Sequence, residues 1–193
     1  MKSFFAAIGK IIPFLPGEEE AISRYLQPKK YAQGHFLVRE DEISDRVFFI
    51  VSGLVKEYYT RSEAGGPPKE VCTRFITESD FYYCIRSYIS GEPSMRYAEA
   101  LESTQTLSLS KAGLEELYRR VPKVERLVRI LTEQYQLLAE QREELKLLEP
   151  HKQRYLYFLK SHKDIATRLK IKDIASYLNM TPETLSRIRK ETR

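Results

Sequence analysis

The chain has 193 residues, of which 42% are hydrophobic and 31% are charged, a composition typical of a globular protein. It is long enough to bury a core in one generous domain or two small ones, and it contains no run of eighteen apolar residues that could span a membrane. Its two cysteines, Cys72 and Cys84, are too few for a disulfide framework, and Lys10 interrupts the apolar N-terminal stretch that mimics a signal peptide. We therefore expect a protein of the reducing cytoplasm without a membrane partner.

The net charge of +5 is distributed unevenly along the chain. Residues 150–193 contain 11 Lys and Arg against 4 Asp and Glu, whereas residues 1–149 contain 21 and 23. Positive charge confined to the last quarter indicates a module that binds a polyanion, joined to a nearly neutral one. A solvated basic tail is the alternative, and the periodic apolar residues of the same quarter argue against it.

In chain order, residues 3–27 show a helical pattern that breaks at the Pro and Gly residues of 13–17. After Lys29 the pattern changes to short β runs, with turns at Gly34 and at Ser52-Gly53. These runs are Y-A-Q-G-H-F-L-V-R-E, R-V-F-F-I-V-S-G-L-V-K-E-Y-Y, V-C-T-R-F-I and A-L-E-S-T-Q-T-L-S-L. The segment S-E-A-G-G-P-P-K-E predicts a long loop. Many short strands within about 80 residues predict a small antiparallel sandwich or barrel.

A helix is predicted over 111–120, and a long helix follows Pro122 over 123–149. Its apolar residues alternate spacings of four and three over about three heptads, interrupted only by Arg142, which is typical of a helix that packs along another helix. A helix of roughly 26 residues extends about 39 Å, longer than a small sandwich needs, so we predict a homodimer. The alternative is a helix lying on its own domain. The predicted dimer seam consists of Val124, Val128, Leu131, Tyr135, Leu138 and Leu145.

The segment after Pro150 predicts further helices, the last two joined by a tight turn. In I-K-D-I-A-S-Y-L, apolar residues at i, i+3, i+4 and i+7 predict one buried helix face. Asn179 then stands where a left-handed residue is needed, Thr181 suits the N-cap of the next helix, and Pro182 suits its first position. Helix, turn and basic helix predict a helix-turn-helix whose second helix enters the major groove of double-stranded DNA.

Candidate DNA-binding side chains surround this turn and the polar face of the last helix. Arg can reach phosphate or a guanine edge, Glu can accept from a cytosine amino group, and Thr can bond phosphate. The predicted set is Lys172, Thr181, Glu183, Thr184, Ser186, Arg187, Arg189 and Lys190. The alternative is a ligand-binding or protein-interaction module whose terminal helices are only structural.

Nearly the whole chain resembles the CRP/FNR superfamily of bacterial transcription regulators. The segment H-F-L-V-R-E-D-E-I-S-D-R-V-F-F-I-V-S-G-L-V-K is similar to the strands that open the family's roll, and the 123–149 helix is similar to its dimer helix. The segment D-I-A-S-Y-L-N-M-T-P-E-T-L-S-R-I-R-K is similar to its recognition unit. The family's E-T-x-S-R core, whose Glu and Arg read bases and backbone, is matched by Glu183, Thr184, Ser186 and Arg187.

The resemblance implies an α+β chain in three parts. Residues 1–122 would form an N-terminal antiparallel jelly roll, or double-stranded β-helix, of the cyclic-nucleotide-binding type. Residues 123–149 would form the dimerisation helix and residues 150–193 the helix-turn-helix. The expected partners are double-stranded DNA, a second copy of the chain, RNA polymerase and a small-molecule effector of unknown identity.

The chain departs from the family pattern at three places. Pro182 stands where many members carry a base-reading Arg, so we expect a different sequence preference. The sequence also ends before the β-hairpin wing of longer members, so we expect fewer phosphate contacts. In the nucleotide cassette, Tyr83 and Cys84 replace the Gly-Glu that holds the ribose, and Ser94 replaces the Arg that neutralises the cyclic phosphate.

These cassette changes disfavour a cyclic nucleotide as effector. Tyr83 adds bulk where a Gly lets the backbone approach the ligand, and the lost ion pair would cost roughly 2–5 kcal/mol of ligand affinity. A nearby Arg could substitute only through a shifted loop. The candidate effector-binding residues are Tyr83, Cys84, Arg86, Ser94 and Arg96.

Neither catalysis nor a bound metal is expected. His35, His151 and His162 lack metal-ligand spacing, and the sequence carries no Ser-His-Asp set or phosphate-cradling P-loop. A redox sensor at Cys84 is the alternative to a buried inert thiol, and we expect the inert thiol because no neighbouring residue guarantees a reactive thiolate. The sequence therefore predicts a DNA-binding regulator rather than an enzyme.

Overall fold

The computed structural model describes residues 1–62, 67–147 and 149–192, apart from the side chain of Lys146. The chain divides into two compact units. The first comprises Met1–Tyr59 and Arg74–Leu131, and the second comprises Thr60–Thr73 and Thr132–Arg193. The residues of the predicted long helix up to Leu131 belong to the first unit, and those from Thr132 onward belong to the second.

Within the described residues, the strands and half of the helices precede residue 121. In chain order they are α1 (Lys2–Gly9), α2 (Pro16–Ser23), β1 (Gln27–Tyr31), β2 (Phe36–Val38), β3 (Arg46–Ser52), β4 (Val55–Arg61), β5 (Lys69–Ile76), β6 (Phe81–Tyr82), α3 (Ile85–Ser90), β7 (Tyr97–Ala100), β8 (Thr104–Ser110) and α4 (Lys111–Arg120). The helices that follow are α5 (Lys123–Leu147), α6 (His151–Ser161), α7 (Ile171–Tyr177) and α8 (Pro182–Thr192).

These strands form two four-stranded sheets, in the orders β1-β8-β3-β6 and β2-β7-β4-β5. The pairs β1–β8, β3–β8, β3–β6, β2–β7 and β4–β7 are antiparallel. The turn between β3 and β4 requires Gly53, which has a φ of 108° and whose missing Cβ would collide with Thr104. This α+β jelly roll confirms the predicted fold class, including the turn at Ser52-Gly53.

Strand β3 is buried on both faces, which explains its continuous apolar run. Phe48 and Ile50 pack into the roll interior with residues such as Val55 and Tyr82. Phe49 points to the other face, where its ring makes an edge-to-face contact with that of Phe4, with the two ring centroids 5.2 Å apart. Because successive side chains of a strand alternate between faces, one strand serves two cores.

The second of these cores joins the sheet to helices α1, α2, α4 and the start of α5. Val124 and Leu127 are buried in it, and Val128 and Leu131 pack against it. The N-terminal half of α5 therefore lies on its own unit, as the alternative interpretation of the heptad pattern expected.

In the second unit, α6, α7 and α8 form a small helical cluster. Phe158 and Tyr177 lie with ring centroids 5.8 Å apart, and Leu185 and Ile188 anchor the last helix through its buried face. No helix within the described ranges is long and apolar enough to cross a membrane.

Candidate nucleic-acid interface and sensor site

The turn between α7 and α8 has the geometry predicted from the sequence. Asn179 adopts a left-handed φ of 52°, and Met180 N donates to Ala175 O at 3.0 Å. Thr181 caps α8, because its Oγ1 accepts a hydrogen bond from Thr184 N at 3.2 Å. Pro182 is the first residue of the helix. The helix-turn-helix geometry is therefore built from local residue preferences.

The side chain of Arg154, on α6, donates hydrogen bonds to backbone carbonyls of this turn. Its side chain is only 4% exposed; Nη1 donates to Leu178 O at 2.7 Å, and Nη2 lies 3.2 Å from Glu149 Oε1. A guanidinium at the last carbonyls of α7 matches the negative end of that helix. Sequence reasoning missed Arg154, although its position four residues before Phe158 places both on one helix face.

The polar face of α8 presents the predicted DNA-binding residues. Glu183, Arg187 and Lys190 are exposed, on the opposite side from the buried Leu185 and Ile188. The other predicted residues are also accessible: Thr181 and Lys172 are exposed, and Thr184, Ser186 and Arg189 are half-buried. A helix with an apolar inner face and a basic outer face can enter a groove of DNA without exposing its core.

Glu183 stays ionised at the start of α8. Its own backbone N–H, and then the Thr181 hydroxyl, hold the pKa of the Glu183 carboxyl below its usual value. A carboxylate at a helix N-terminus is a hydrogen-bond acceptor only, which is the group that can accept a hydrogen bond from a cytosine amino group.

Two replaced cassette positions meet in the first unit. Cys84 and Ser94 are 3% and 2% exposed, and Cys84 Sγ lies 3.2 Å from Ser94 Oγ. The Ser94 hydroxyl donates to Arg96 O at 2.9 Å, so the Cys84 thiol is the donor between the two side chains. Thus the two positions that hold ribose and phosphate in the family carry a thiol and a hydroxyl group that are bonded to each other.

Arg96, whose side chain is 43% exposed, pairs with a buried carboxylate in a network that was not predicted from the sequence. Its Nη1 lies 3.1 Å from Glu57 Oε2, and the Tyr82 hydroxyl donates to Glu57 Oε1 at 3.3 Å. Burial first, and then the Glu57 carboxylate, raise the pKa of Tyr82. Tyr82 fills the roll interior, stacked on Phe48 at a centroid distance of 6.3 Å. The sequence of β4 does indicate a buried polar contact, because Glu57 occupies an inward-facing position in a strand whose neighbouring inward-facing positions are apolar.

The remaining cassette candidates do not join this cluster. Arg86 is exposed and pairs with Glu92, with Nη2 at 3.2 Å from Oε2. The ring of Tyr83 lies 5.4 Å from that of Tyr88 in an edge-to-face contact. The structure therefore brings together Cys84, Ser94 and Arg96, but not Tyr83 or Arg86.

A separate cleft of about 370 Å³ lies in the first unit, between β1, β2 and the loop before β3. Lys29, Arg39 and Arg46 contribute cations to its lining, and Phe48 contributes an aromatic wall. Arg46 Nη1 donates to Gln27 Oε1 at 2.8 Å at this site. Its volume is within the range of small-ligand sites.

The predicted dimer seam is only partly accessible. Val124 and Leu145 are buried within the chain, whereas Leu138 and its neighbour Leu137 are 54% and 56% exposed. Arg142, the polar interruption of the seam, folds back so that its Nε donates to Leu138 O at 3.0 Å and its guanidinium lies 5.6 Å from the Tyr135 ring. An apolar surface therefore remains on the middle of α5.

Comparison with known proteins places these features in a family context. Residues 28–121 match the family model described as cyclic nucleotide-binding domain. No curated protein matches the chain.

Three of the solved structures similar to this chain are FixK2, the regulator CLP and a CRP/FNR family transcriptional regulator. FixK2 from Bradyrhizobium japonicum is 23% identical, with a TM-score of 0.71 over 86% of this chain and 83% of that one. The c-di-GMP responsive global regulator CLP from Xanthomonas campestris is 12% identical, with a TM-score of 0.73 over 91% and 90%. A CRP/FNR family transcriptional regulator from Thermus thermophilus is 15% identical, with a TM-score of 0.67 over 86% and 84%. At these identities the likeness is one of fold. Residues 28–121 thus match the cyclic nucleotide-binding domain model, and the fold of the chain is similar to the folds of these three solved structures.

Proposed function

We propose that this chain is a dimeric, cytoplasmic, DNA-binding transcription regulator of CRP/FNR type that responds to a small effector and acts on RNA polymerase. The observation that carries the proposal is the α7–turn–α8 unit, with its Thr181 cap and a basic face opposite Leu185 and Ile188. The proposal assigns no catalytic role to any residue.

In this function α8 lies in the major groove. Glu183, Thr184 and Arg187 belong to its N-terminal half and contact base edges, because the first turns of a recognition helix reach deepest into the groove. Lys172, Thr181, Ser186, Arg189 and Lys190 contact phosphates and sugars, which fixes the register of the protein on the duplex.

The dimer forms through the accessible middle of α5. Leu137 and Leu138 of each copy would be removed from water in the interface, and the burial of their apolar surface favours association. For the dimer to bind two half-sites, its two α8 helices would need to lie about 34 Å apart, one turn of DNA, and we expect a pseudo-palindromic operator.

The effector is not a cyclic nucleotide held in the family's manner. A cyclic phosphate entering at Ser94 would meet a buried hydroxyl instead of an Arg, and Arg96 is already paired with Glu57. The cost of burying an uncompensated charge opposes such binding. The cleft beside β1, with Lys29, Arg39 and Arg46, offers an effector a site that avoids the cassette.

The test is binding of the full chain to duplex DNA selected from a random pool, measured by fluorescence anisotropy at several salt concentrations. We expect the logarithm of the binding constant to fall linearly with the logarithm of salt concentration. Arg187→Ala is expected to weaken binding to the selected duplex by about 1–3 kcal/mol. The matched control is Arg119→Ala, an exposed α4 arginine paired with Glu116, which should bind like the parent protein.

Two results would contradict the proposal. A protein that ignores duplex DNA in dilute buffer would favour the alternative, an interaction module with structural terminal helices. Equal losses in Arg187→Ala and Arg119→Ala would show a diffuse electrostatic effect rather than recognition through α8.

A further inference from the structure

Strand β5 lies at the edge of its sheet. In the order β2-β7-β4-β5 one side of β5 pairs with β4, and the other side has no neighbouring strand within the described residues. Edge strands present backbone N–H and C=O groups that must find partners elsewhere. The first part of β5, up to Thr73, belongs to the same compact unit as α7 and α8.

Ser176, on α7, bonds to two of these backbone groups with one hydroxyl. Its Oγ accepts a hydrogen bond from Cys72 N at 2.9 Å and donates one to Glu70 O at 2.9 Å. Because a strand repeats every two residues, the carbonyl of residue 70 and the N–H of residue 72 face the same side. The Ser176 hydroxyl thus takes the position that the backbone of an added strand would occupy.

The contact is one residue from the turn that sets the recognition helix. Ala175, next to Ser176, is fully buried, and its carbonyl accepts the hydrogen bond from Met180 N that closes the turn. Thr181, which caps α8, follows directly. A displacement of Ser176 therefore changes the start of α8 through a short, rigid path of backbone bonds.

At its other end β5 reaches the roll interior. Ile76 is fully buried in the cluster that contains Tyr82 and Cys84.

We propose that Ser176 is a positioning residue for DNA recognition, which fixes α7 to the edge of β5 and thereby sets the pose of α8. The proposal rests on the proposed function for its DNA readout, whereas the contact itself can be measured without DNA. Ser176 does not need to touch DNA for this role.

The experiment compares Ser176→Ala with Ser176→Thr, which keeps the hydroxyl. The matched control is Ser161→Ala, a serine of the same unit whose hydroxyl bonds to Tyr157 O at 2.9 Å within its own helix. Residue-level hydrogen exchange in the full chain follows the Cys72 amide, and fluorescence anisotropy follows binding to the selected duplex. Circular dichroism checks that each variant is folded.

In Ser176→Ala we expect exchange of the Cys72 amide to rise about tenfold or more and duplex affinity to fall about fivefold. Ser176→Thr should stay within about twofold of the parent in both measurements, as should Ser161→Ala. If Ser176→Ala does not fold, Ser176→Cys decides the proposal, because its side chain has a similar volume and a weaker hydrogen-bond donor. Its Cys72 exchange rate and its duplex affinity should then lie between those of the parent protein and those expected for the Ala variant.

Unchanged exchange at Cys72 in the Ala variant would overturn the contact. Faster exchange with unchanged duplex affinity would overturn the positioning role. If the parent protein binds no duplex at all, the proposed function and the DNA role of Ser176 both fail, while the exchange measurement still decides whether the contact exists.

Discussion

Replacing Arg154 by Met removes a buried cation beside the α7–α8 turn and keeps an unbranched side chain of similar reach. The strongest bond lost to the turn is the charge-assisted hydrogen bond from Nη1 to Leu178 O, at 2.7 Å, and a longer one from Nη1 to Asn179 O, at 3.5 Å, is lost with it. Such bonds contribute about 1.5–3 kcal/mol when buried, and the Leu178 carbonyl loses a donor at a helix end.

The second partner of Arg154 adds little. Glu149 is 66% exposed, so water screens the ion pair and its contribution stays below about 1 kcal/mol. The Met side chain preserves most of the packing of the Arg stem, which limits any cavity. We therefore expect Arg154→Met to lower the free energy of unfolding of the second unit by about 2–3 kcal/mol.

Hydrogen exchange of the slowest amides of α7 and α8 measures this quantity, because it reports the second unit even if the two units unfold separately. Arg154→Lys should lose less, about half as much, because one ammonium keeps the charge but cannot fork between both partners. Arg187→Ala is the opposite control: an exposed residue whose loss should weaken DNA binding without changing exchange. A change below about 0.5 kcal/mol in Arg154→Met would refute the assigned role.

Three further outcomes are expected. In sedimentation experiments, Leu138→Glu should convert the proposed dimer to monomers, because it puts a charge into the apolar middle of α5. The control Leu156→Glu, on the exposed side of α6, should leave the dimer intact. A dimer that survives Leu138→Glu would contradict the proposed interface. Burial first, and then Arg142, hold the pKa of His162 below its usual value, so the unfolded state binds its proton more readily. The free energy of unfolding of the second unit should then fall as the pH drops below about 6.5. His162→Gln should remove this contribution to the pH dependence, whereas the control His35→Gln should leave it. An unchanged pH dependence in His162→Gln would argue against burial of a neutral imidazole at this position. Cyclic AMP at millimolar concentration should raise the melting temperature by less than about 1 °C, since stabilisation requires binding to the native state; a larger rise would show that the Cys84–Ser94 pair does not exclude the nucleotide.

Local patterns predicted the helix-turn-helix well. Asn179, Thr181 and Pro182 each sit where their own backbone and side-chain preferences place them, and the left-handed turn and the cap follow from those preferences alone. The turn at Ser52-Gly53 was predicted for the same reason. Short-range steric and hydrogen-bonding rules need no knowledge of the rest of the chain.

Other elements could not be identified from local patterns. Strand β1 begins at Gln27 and contains Pro28, which argues against a strand unless it lies at an edge, and β1 is an edge strand in its sheet. Helix α3 was not predicted. It lies within the nucleotide cassette, where the sequence was compared with the family residue by residue and not for helical spacing. The position of a strand in its sheet is decided by partners distant in sequence.

The heptad pattern of α5 shows where a periodic signal becomes ambiguous. Val124 and Leu138 share one seam in sequence, but Val124 is buried against α1, α2 and α4, whereas Leu138 is exposed. A 3.5-residue repeat indicates that one face of a helix is apolar, and it carries no information about which surface covers each part of that face.

The sequence by itself predicted a small antiparallel β domain, the helix-turn-helix and the basic character of the last quarter, because periodicity, turn residues and charge are properties of neighbouring positions. Only the tertiary structure decided that Cys84 bonds to Ser94, that Glu57 bonds to Arg96 and Tyr82, that Arg154 bonds to the C-terminal end of α7, and that Ser176 bonds to β5. The partners in these contacts stand 10 to 104 residues apart in the chain. Their meeting depends on how the strands and helices pack, since a buried polar group must find its hydrogen-bond partner wherever the fold brings one within reach.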